Sequence, residues 1–298
     1  MKLVIVLVVC SIGVNLSATT EAGTDGSIAV AYWAQDEMVI AADSRGTIGN
    51  SYHDTECKVS ALGNKLIFAA TGRSSLGQDP GWDTYTLAKN IFRTLDAEGT
   101  TEGLASSLAT VWGEEVKEEF EEIGDSALVG INDNYITTGI FGDFESNTLK
   151  VFMSEVTYKI GPDGHANITA NVTPAEWKLP GGGGNRFIGE GGMWSVLGEM
   201  QSAKTSRGEK WNKAFLESAR ADDKLVAEAT TMVRIVIEGS PPTRTDKNGV
   251  KFSTVGFPIA VVRLRRNKGT DWVAKGACCV LSEQKTQPHP KKPQPKMK

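Results

Sequence analysis

Four short strand-like runs follow one another closely near the start of the chain, and they constrain the fold more than any other feature. The first two, Ser27–Ala34 and Met38–Asp43, flank a short polar turn and therefore predict a β-hairpin. Two further runs, Glu56–Leu62 and Lys65–Ala70, predict a third and a fourth strand. We expect the rest of the chain to be organised around this stretch.

Three charged residues and one small hydroxyl residue stand at the ends of these runs. Asp43 closes the second run, Arg45 follows it directly, and Lys58 lies on the third run. Ser27 opens the first run. Because a hairpin brings the start of one strand beside the end of the next, these positions are predicted to lie near one another.

The stretch resembles the first quarter of a proteasome β-subunit and of the bacterial proteasome-like peptidase, which are N-terminal nucleophile hydrolases. The residues that match are Ser27, Ala31, Val39–Arg45, Lys58 and Gly72. The pattern fits without a gap from Ser27 to Asp43 and again from Lys58 to Gly72. Between Asp43 and Lys58 the chain is one residue short of the family pattern.

The order of strands, helices, strands and helices fits an α+β fold, the four-layer αββα sandwich of two stacked antiparallel sheets covered by helices. Four glycines, Gly181–Gly184, predict a flexible link. Helices are predicted after Pro80 and over Glu102–Ile123, Met193–Gln201 and Trp211–Val236, and later strands over Ala127–Ile131, Tyr135–Phe141, Leu149–Val156, Ala166–Val172, Ala260–Leu264 and Trp272–Leu281.

Both ends of the chain differ in composition from its middle. Residues 1–22 have the pattern of a secretory signal peptide, with an apolar core, Leu3–Val14, too short to span a bilayer. The alternative is a buried N-terminal strand. Residues 283–298, rich in Pro and Lys, predict a disordered tail. This leaves one hydrolase-like domain over residues 23–282 and predicts a secreted or extracytoplasmic protein.

Cysteines and glycosylation triplets bear on the compartment. After removal of a signal peptide three cysteines remain, Cys57, Cys278 and Cys279, so a disulfide framework is not indicated. A bridge from Cys57 to one of the other two stays open. The triplets Asn167–Thr169 and Asn171–Thr173 are glycosylation acceptors in a host cell that glycosylates.

Composition excludes several classes of function. The net charge of -4, without a basic patch, argues against a nucleic-acid partner. The chain has three histidines, with no zinc spacing and no histidine-based serine motif. We therefore expect no metal, no cofactor and, once the signal is removed, no membrane segment. A peptide or amide substrate is expected, and a homo-oligomer is compatible with the resemblance.

The resemblance implies a mechanism that needs no histidine. Cleavage before Ser27 would free its amine, which would act as the base while its hydroxyl attacks an amide carbonyl. Lys58 would lower the local pKa values, and Asp43 and Arg45 would hold Lys58 and the first strand in place. The backbone N–H of Gly72 would stabilise the oxyanion.

Two alternatives concern the nucleophile. Thr24 follows Gly23 as the family's threonine follows its glycine, but choosing Thr24 inserts three residues before the first strand aligns. In a third outcome neither residue is released, and the chain is an inactive subunit or binding module on the same fold.

Two other positions bear on the expected activity. Glu190 stands where the family has a serine that assists the nucleophile, and this departure either supplies a proton carrier or marks a site that has lost its activity. Ala70 matches the residue at the floor of the family's specificity pocket, which implies a roomy pocket for an apolar side chain.

Overall fold

The computed structural model describes residues 27–48, 51–54, 57–73, 83–128, 131, 134–175, 184–189 and 192–276. The predicted signal segment 1–22, the predicted tail 283–298, Thr24 and Glu190 lie outside the described residues. Within them the chain is a mixed α+β protein with antiparallel sheets and five α-helices. The strands are β1 Ile28–Trp33, β2 Glu37–Asp43, β3 Gly46–Ile48, β4 Ser51–His53, β5 Val59–Leu62, β6 Leu66–Gly72, β7 Tyr135–Glu145, β8 Thr148–Ile160, β9 Ala166–Pro174, β10 Gly184–Gly189, β11 Arg244–Thr245, β12 Lys251–Phe252, β13 Ile259–Arg265 and β14 Gly269–Ala274. The helices are α1 Thr84–Ala97, α2 Leu104–Ile123, α3 Gly192–Ser202, α4 Ser206–Ser218 and α5 Lys224–Gly239.

Two five-stranded sheets carry most of the strands. The first sheet has the order β10-β1-β2-β13-β14, and the second has the order β5-β6-β7-β8-β9. Two small hairpins, β3–β4 and β11–β12, stand apart from them. The predicted hairpin is therefore confirmed as β1–β2, with Ala29 opposite Ala42, and it lies inside the first sheet.

The strands at the centre of the first sheet are buried on both faces. In β1 and β2 alternate residues join two different apolar clusters, which explains why these strands read as unbroken apolar runs. One cluster joins this sheet to α3, α4 and α5. The other joins the first sheet to β5, β6 and β7 of the second sheet.

The second sheet packs against α1 and α2 through a cluster rich in aromatic side chains. Phe68 on β6 lies with its ring centroid 4.9 Å from that of Phe141 and 5.8 Å from that of Trp112. The Trp112 indole N–H donates to the carbonyl of Thr84 at 3.0 Å, which satisfies its polar atom inside the core. Burial of these side chains against one sheet face orients both helices.

Side-chain caps fix the starts of two helices. The Asp83 carboxylate accepts from the N–H groups of Tyr85 and Thr86 at 2.9 and 2.7 Å, and α1 begins there. The Thr205 hydroxyl accepts from the N–H of Gly208 and begins α4. These bonds satisfy N–H groups that have no partner within the helix.

Two predicted elements are wrong. The strand expected over 127–131 overlaps a short 3₁₀ helix, Asp125–Leu128. Its buried Leu128 joins the aromatic-rich cluster between the second sheet and α1 and α2, the helix-side cluster. The single helix expected over Trp211–Val236 is two helices, because α4 ends at Ser218 and α5 begins at Lys224. Asp223 precedes α5 and bonds the Arg263 guanidinium at 2.7 Å, which fixes the break against β13.

The glycine-rich link contributes a strand that was not predicted. Gly184, its last glycine, begins β10, which pairs with the whole of β1. A Cβ at Gly184 would lie 2.5 Å from the Trp33 ring, so the glycine leaves room for that buried indole. Glycine has a low β-propensity, so the sequence around Gly184 does not predict β10, which forms because of tertiary packing.

Candidate functional site

The candidate site forms where β1 begins and β2 ends. Antiparallel pairing places Ala29 opposite Ala42, so the start of β1 lies beside Asp43 at the end of β2. Ser27 directly precedes β1 and is buried, with 3% of its surface exposed. The hairpin alone therefore brings Ser27 and Asp43 together.

The Asp43 carboxylate is fully buried and ties four segments of the chain together. Its Oδ1 accepts from the N–H of Ile28 and from the Lys58 ammonium, each at 2.9 Å. Its Oδ2 accepts from Lys58 at 3.0 Å, from the N–H of Gly256 at 3.1 Å and from the N–H of Arg45 at 3.2 Å. Both oxygens are thus bound, as a buried carboxylate requires.

Lys58 is buried as deeply, with 2% of its surface exposed. Its Nζ donates to both oxygens of Asp43 and to the backbone carbonyl of Arg45. The backbone of Lys58 is held by the N–H of Ala70, which donates to the Lys58 carbonyl at 3.2 Å. A buried ammonium is tolerated in a protein only with such partners, so this lysine is not a solvated residue of an edge strand.

Burial and pairing act in opposite directions on the Asp43 carboxylate. Burial raises the pKa of Asp43 above its usual range, while the Lys58 ammonium and the N–H groups of Ile28 and Gly256 oppose that shift. The two charges therefore depend on each other, and removing either would leave the other buried without its counter-ion.

The side chain of Arg45 bonds to a different part of the site. Its guanidinium holds the Asp54 carboxylate with two bonds, at 2.6 and 2.9 Å, and donates to the Ser253 carbonyl at 3.2 Å. It also lies over the Tyr52 ring, 4.3 Å from the ring centroid. Arg45 therefore supports Lys58 through its backbone carbonyl, while its side chain joins the β3–β4 hairpin to the loop after β12.

A small cavity of about 80 Å³ opens beside Ser27. Its wall combines the hydroxyl residues Ser240, Thr243 and Ser253 with apolar side chains that include Met193. Ala70, which was expected at the floor of a specificity pocket, is not in this wall. It packs instead in the helix-side cluster, where its carbonyl accepts from the Tyr85 hydroxyl at 3.1 Å.

Gly72 lies at the end of β6, a strand that contacts β1. Its φ is +92°, and a Cβ there would lie 2.5 Å from the carbonyl oxygen of Ile136. Both facts require glycine at this position for structural reasons alone. The backbone therefore requires glycine at position 72 whether or not its N–H stabilises an oxyanion, as predicted.

Three residues of the site were missed by the sequence prediction. Gly256 was noted only for its place before a strand, yet its N–H bonds Asp43, and a Cβ there would lie 2.5 Å from the Arg45 guanidinium carbon. Asp54 and Ser253 carried no recognisable pattern. All three lie in loops. The segment Phe252–Gly256 is far from Arg45 in the sequence, and only the fold brings the two close together.

Thr24 and Glu190, the two remaining predicted site residues, lie outside the described residues. Within the part of the chain that the structure describes, no three His, Cys, Asp or Glu side chains are grouped as metal ligands would be. In that same part, no helix combines the length and apolarity needed to cross a membrane. Ser27, Asp43, Arg45 and Lys58 are the predicted residues that come together.

Comparison with known proteins does not identify the chain. No family model matches it, and no curated protein was found to be similar to it. The resemblance to N-terminal nucleophile hydrolases therefore rests on the sequence residues quoted above.

Proposed function

We propose that the chain is a secreted, proteasome-like hydrolase that cleaves peptide or amide bonds with an N-terminal nucleophile, Ser27. The observation that carries the proposal is the Asp43 Oδ1 atom, which accepts from both the Lys58 ammonium and the N–H of Ile28. One carboxylate oxygen thereby links a buried positive charge to the residue that follows Ser27. A nucleophile that uses its own amine needs this kind of neighbour.

The packing of the two sheets supports the fold that this proposal requires. One apolar cluster contains residues of both sheets, and two others join each sheet to its own helices. We infer the order helix, sheet, sheet, helix from these contacts, which is the four-layer αββα sandwich. In that arrangement Ser27 lies at the end of an inner strand.

The proposed chemistry breaks two amide bonds in turn, first the Gly26–Ser27 bond of the chain and then an amide bond of the substrate. Hydrolysis of the Gly26–Ser27 peptide bond frees the Ser27 amine. The amine takes the proton of the Ser27 hydroxyl as its oxygen attacks a substrate carbonyl, and the departing amine of the substrate receives that proton. Water then hydrolyses the acyl-serine and restores the hydroxyl.

Lys58 sets the protonation state in this scheme. A free α-amine has a pKa of about 8, and a nearby ammonium lowers it because two positive charges repel. The Ser27 amine would therefore be partly neutral near pH 7 and available as a base. Asp43 keeps Lys58 in position, so Asp43 acts through Lys58 rather than on the substrate.

The backbone N–H of Gly72 is proposed as the oxyanion donor. Strand β6, which ends at Gly72, contacts β1, the strand that Ser27 directly precedes. Removing one such donor typically costs about 100- to 1000-fold in rate. A substitution at Gly72 would not isolate this role, because the backbone conformation there needs glycine.

A second candidate function is an inactive subunit or binding module on the same fold, as a homo-oligomer or with other chains. The observation that favours it is that the Lys58 ammonium donates to both oxygens of Asp43. Such a buried ion pair can also hold strand ends in place without taking part in catalysis. Arg45 and Asp54 fit that structural role as well.

Protein chemistry on the mature chain separates the two functions. We expect N-terminal sequencing and intact mass to show a chain that begins at Ser27 and hydrolyses fluorogenic peptides, with a rate that rises with pH as the free amine loses its proton. Ser27→Ala should stop release of the preceding segment and lower turnover by about 1000-fold or more.

Thr24→Ala is the matched control, because it removes the rival hydroxyl and leaves Ser27 in place. It should be processed and active like the wild-type chain. A mature chain that begins upstream of both residues and turns over no peptide would favour the binding module. Loss of processing in Thr24→Ala alone would move the nucleophile to Thr24.

A further inference from the structure

We propose that the exposed face of β9, opposite the face that packs against α2, carries two N-linked glycans, at Asn167 and Asn171. The proposal rests on the extracytoplasmic location proposed above, because the modification occurs in the secretory pathway. It does not depend on whether Ser27 is a nucleophile. The acceptor triplets are Asn167–Thr169 and Asn171–Thr173, and neither has proline in its middle position.

The register of β9 places both triplets on one exposed face. Asn167, Thr169, Asn171 and Thr173 are all exposed, and they alternate with residues that face the protein. The alternate residues Ile168, Ala170 and Val172 pack in the cluster against α2. Because side chains of a strand alternate between its faces, every acceptor and every hydroxyl of the triplets points away from the helix side.

The position of β9 in its sheet leaves room for two large substituents. Among the residues that the structure describes, β9 is the last strand of the second sheet, beside β8. The acceptors are four positions apart in extended chain, a distance of about 13 Å along the strand at ~3.3 Å per residue. Opposite them on β8 lie Lys159 and Glu155, whose side chains are not part of the buried core. Two glycans therefore fit side by side on this face.

An independent observation indicates the compartment in which the modification occurs. Cys57 is disulfide-bonded. Disulfides form and persist in oxidising compartments and are rare in the cytosol. The same compartments hold the enzymes that glycosylate asparagine in cells that have them, so the disulfide and the triplets support one location.

The chemical step is a transfer from a lipid-linked oligosaccharide of the host. The side-chain amide nitrogen of asparagine forms a bond to the first sugar carbon, the bond from that carbon to the lipid pyrophosphate breaks, and the amide loses one proton. No oxidant or reductant takes part. The hydroxyl of the third residue in each triplet is needed for recognition. Thr169 and Thr173 are both exposed residues, and the Thr169 hydroxyl lies 3.0 Å from that of Thr157 on β8.

The glycans would also decide which surfaces remain free. An edge strand presents unpaired backbone groups that can pair with another chain, and natural proteins block such edges. Sugars on Asn167 and Asn171 would keep this edge from contacting another protein. A homo-oligomer of this chain would then use a different surface.

The test is expression of the full chain in a eukaryotic secretory host, followed by intact mass before and after peptide N-glycosidase. We expect a mass that falls by two glycans on digestion, by one glycan in Asn167→Gln or Asn171→Gln, and not at all in the double variant. Pro174 restricts the backbone of the second triplet, so Asn167 should be the more fully occupied site.

One matched pair of variants and a second leader make the result decisive. Thr169→Ser keeps a hydroxyl in the first triplet and should keep the glycan, whereas Thr169→Ala should lose it. A second form carries a known cleavable signal in place of residues 1–22. If only this second form carries glycans, Asn167 and Asn171 are acceptors but residues 1–22 are not a secretion signal. An unmodified mass for both forms would overturn the proposal.

Discussion

Asp43 and Asp143 are two buried carboxylates, one in each large sheet, and their hydrogen-bond partners differ greatly. Asp43 is fully buried and accepts from an ammonium and three backbone N–H groups. Asp143 on β7 has 4% of its surface exposed and accepts from the N–H of Ala105 at 3.0 Å. Its Oδ1 has no hydrogen-bond partner among the described residues.

The difference follows from the partners rather than from the depth of burial. Burial raises the pKa of Asp143 to about 6, and only the N–H of Ala105 and the more distant Lys150 oppose the shift. Asp143 caps the first turn of α2, where Gly103 at φ +66° supplies no side chain. A helix cap works with either protonation state of the acid, whereas a site that holds a buried ammonium needs the ionised carboxylate.

The sharpest way to break this comparison is Asp43→Asn. The variant leaves the Lys58 ammonium buried without a counter-ion, and it puts an amide N–H₂ group where backbone N–H groups now donate. We expect a loss of about 3–5 kcal/mol in the free energy of unfolding at pH 7, measured by urea denaturation. A loss below about 1 kcal/mol would show that Lys58 does not depend on Asp43.

The control is the double variant Asp43→Asn/Lys58→Met, which removes both members of the pair. Since no buried ammonium remains, the double variant should lose less stability than the two single variants added together. Strict additivity would mean that the two side chains do not interact, in contradiction to their 2.9 Å contact.

Asp143→Asn should act in the opposite direction, with a smaller effect. The folded state keeps its proton up to about pH 6, whereas an unfolded aspartate ionises near pH 4. Stability is therefore lost as pH rises from about 4 to 6, by up to roughly 3 kcal/mol for a shift of about two units. The variant keeps an acceptor for Ala105 and removes the charge.

We expect Asp143→Asn to raise the free energy of unfolding at pH 7.5 by about 1–2 kcal/mol and to flatten its dependence on pH between 4 and 6. Urea denaturation across that pH range measures both. Asp222→Asn, a change at an exposed aspartate, should alter neither quantity. Destabilisation of Asp143→Asn at pH 7.5 would mean that the charge is needed at the start of α2.

The sequence predicted the parts of the site that lie at the ends of the early strands β1, β2 and β5. Ser27 and Asp43 meet because an apolar hairpin can pair in few registers, and Lys58 directly precedes β5. Gly256 could not be predicted in the same way. It reaches Asp43 from a loop 213 residues away in the chain, and its contribution is a backbone N–H that any residue carries.

Asp143 was missed for a related reason. The strand predicted over Tyr135–Phe141 stops before Asp143, because charged residues usually end a buried strand, yet β7 continues to Glu145. Only the position of α2 explains the aspartate, since its carboxylate replaces a cap that Gly103 cannot supply. Local propensity says little about such pairs, whose partners are set by tertiary packing.

The smallest expected effect belongs to Arg45→Lys, which tests where the buried network ends. Arg45 and Asp54 are partly exposed, with 17% and 36% of their side-chain surfaces accessible. Lysine cannot make the two parallel bonds to Asp54, but water can replace them, so we expect a loss below about 1 kcal/mol. Amide hydrogen exchange should become faster in β3 and β4, because Arg45 joins that hairpin to the Ser253 loop.

Arg263→Lys is the matched control, because Arg263 has the same 17% exposure and holds Asp271, which has the 36% exposure of Asp54. It should cost a similar amount without changing exchange in β3 and β4. If Arg45→Lys instead cost as much as Asp43→Asn, the guanidinium would belong to the buried charge network. The boundary between the buried charge pair and its solvated surroundings would then include Arg45.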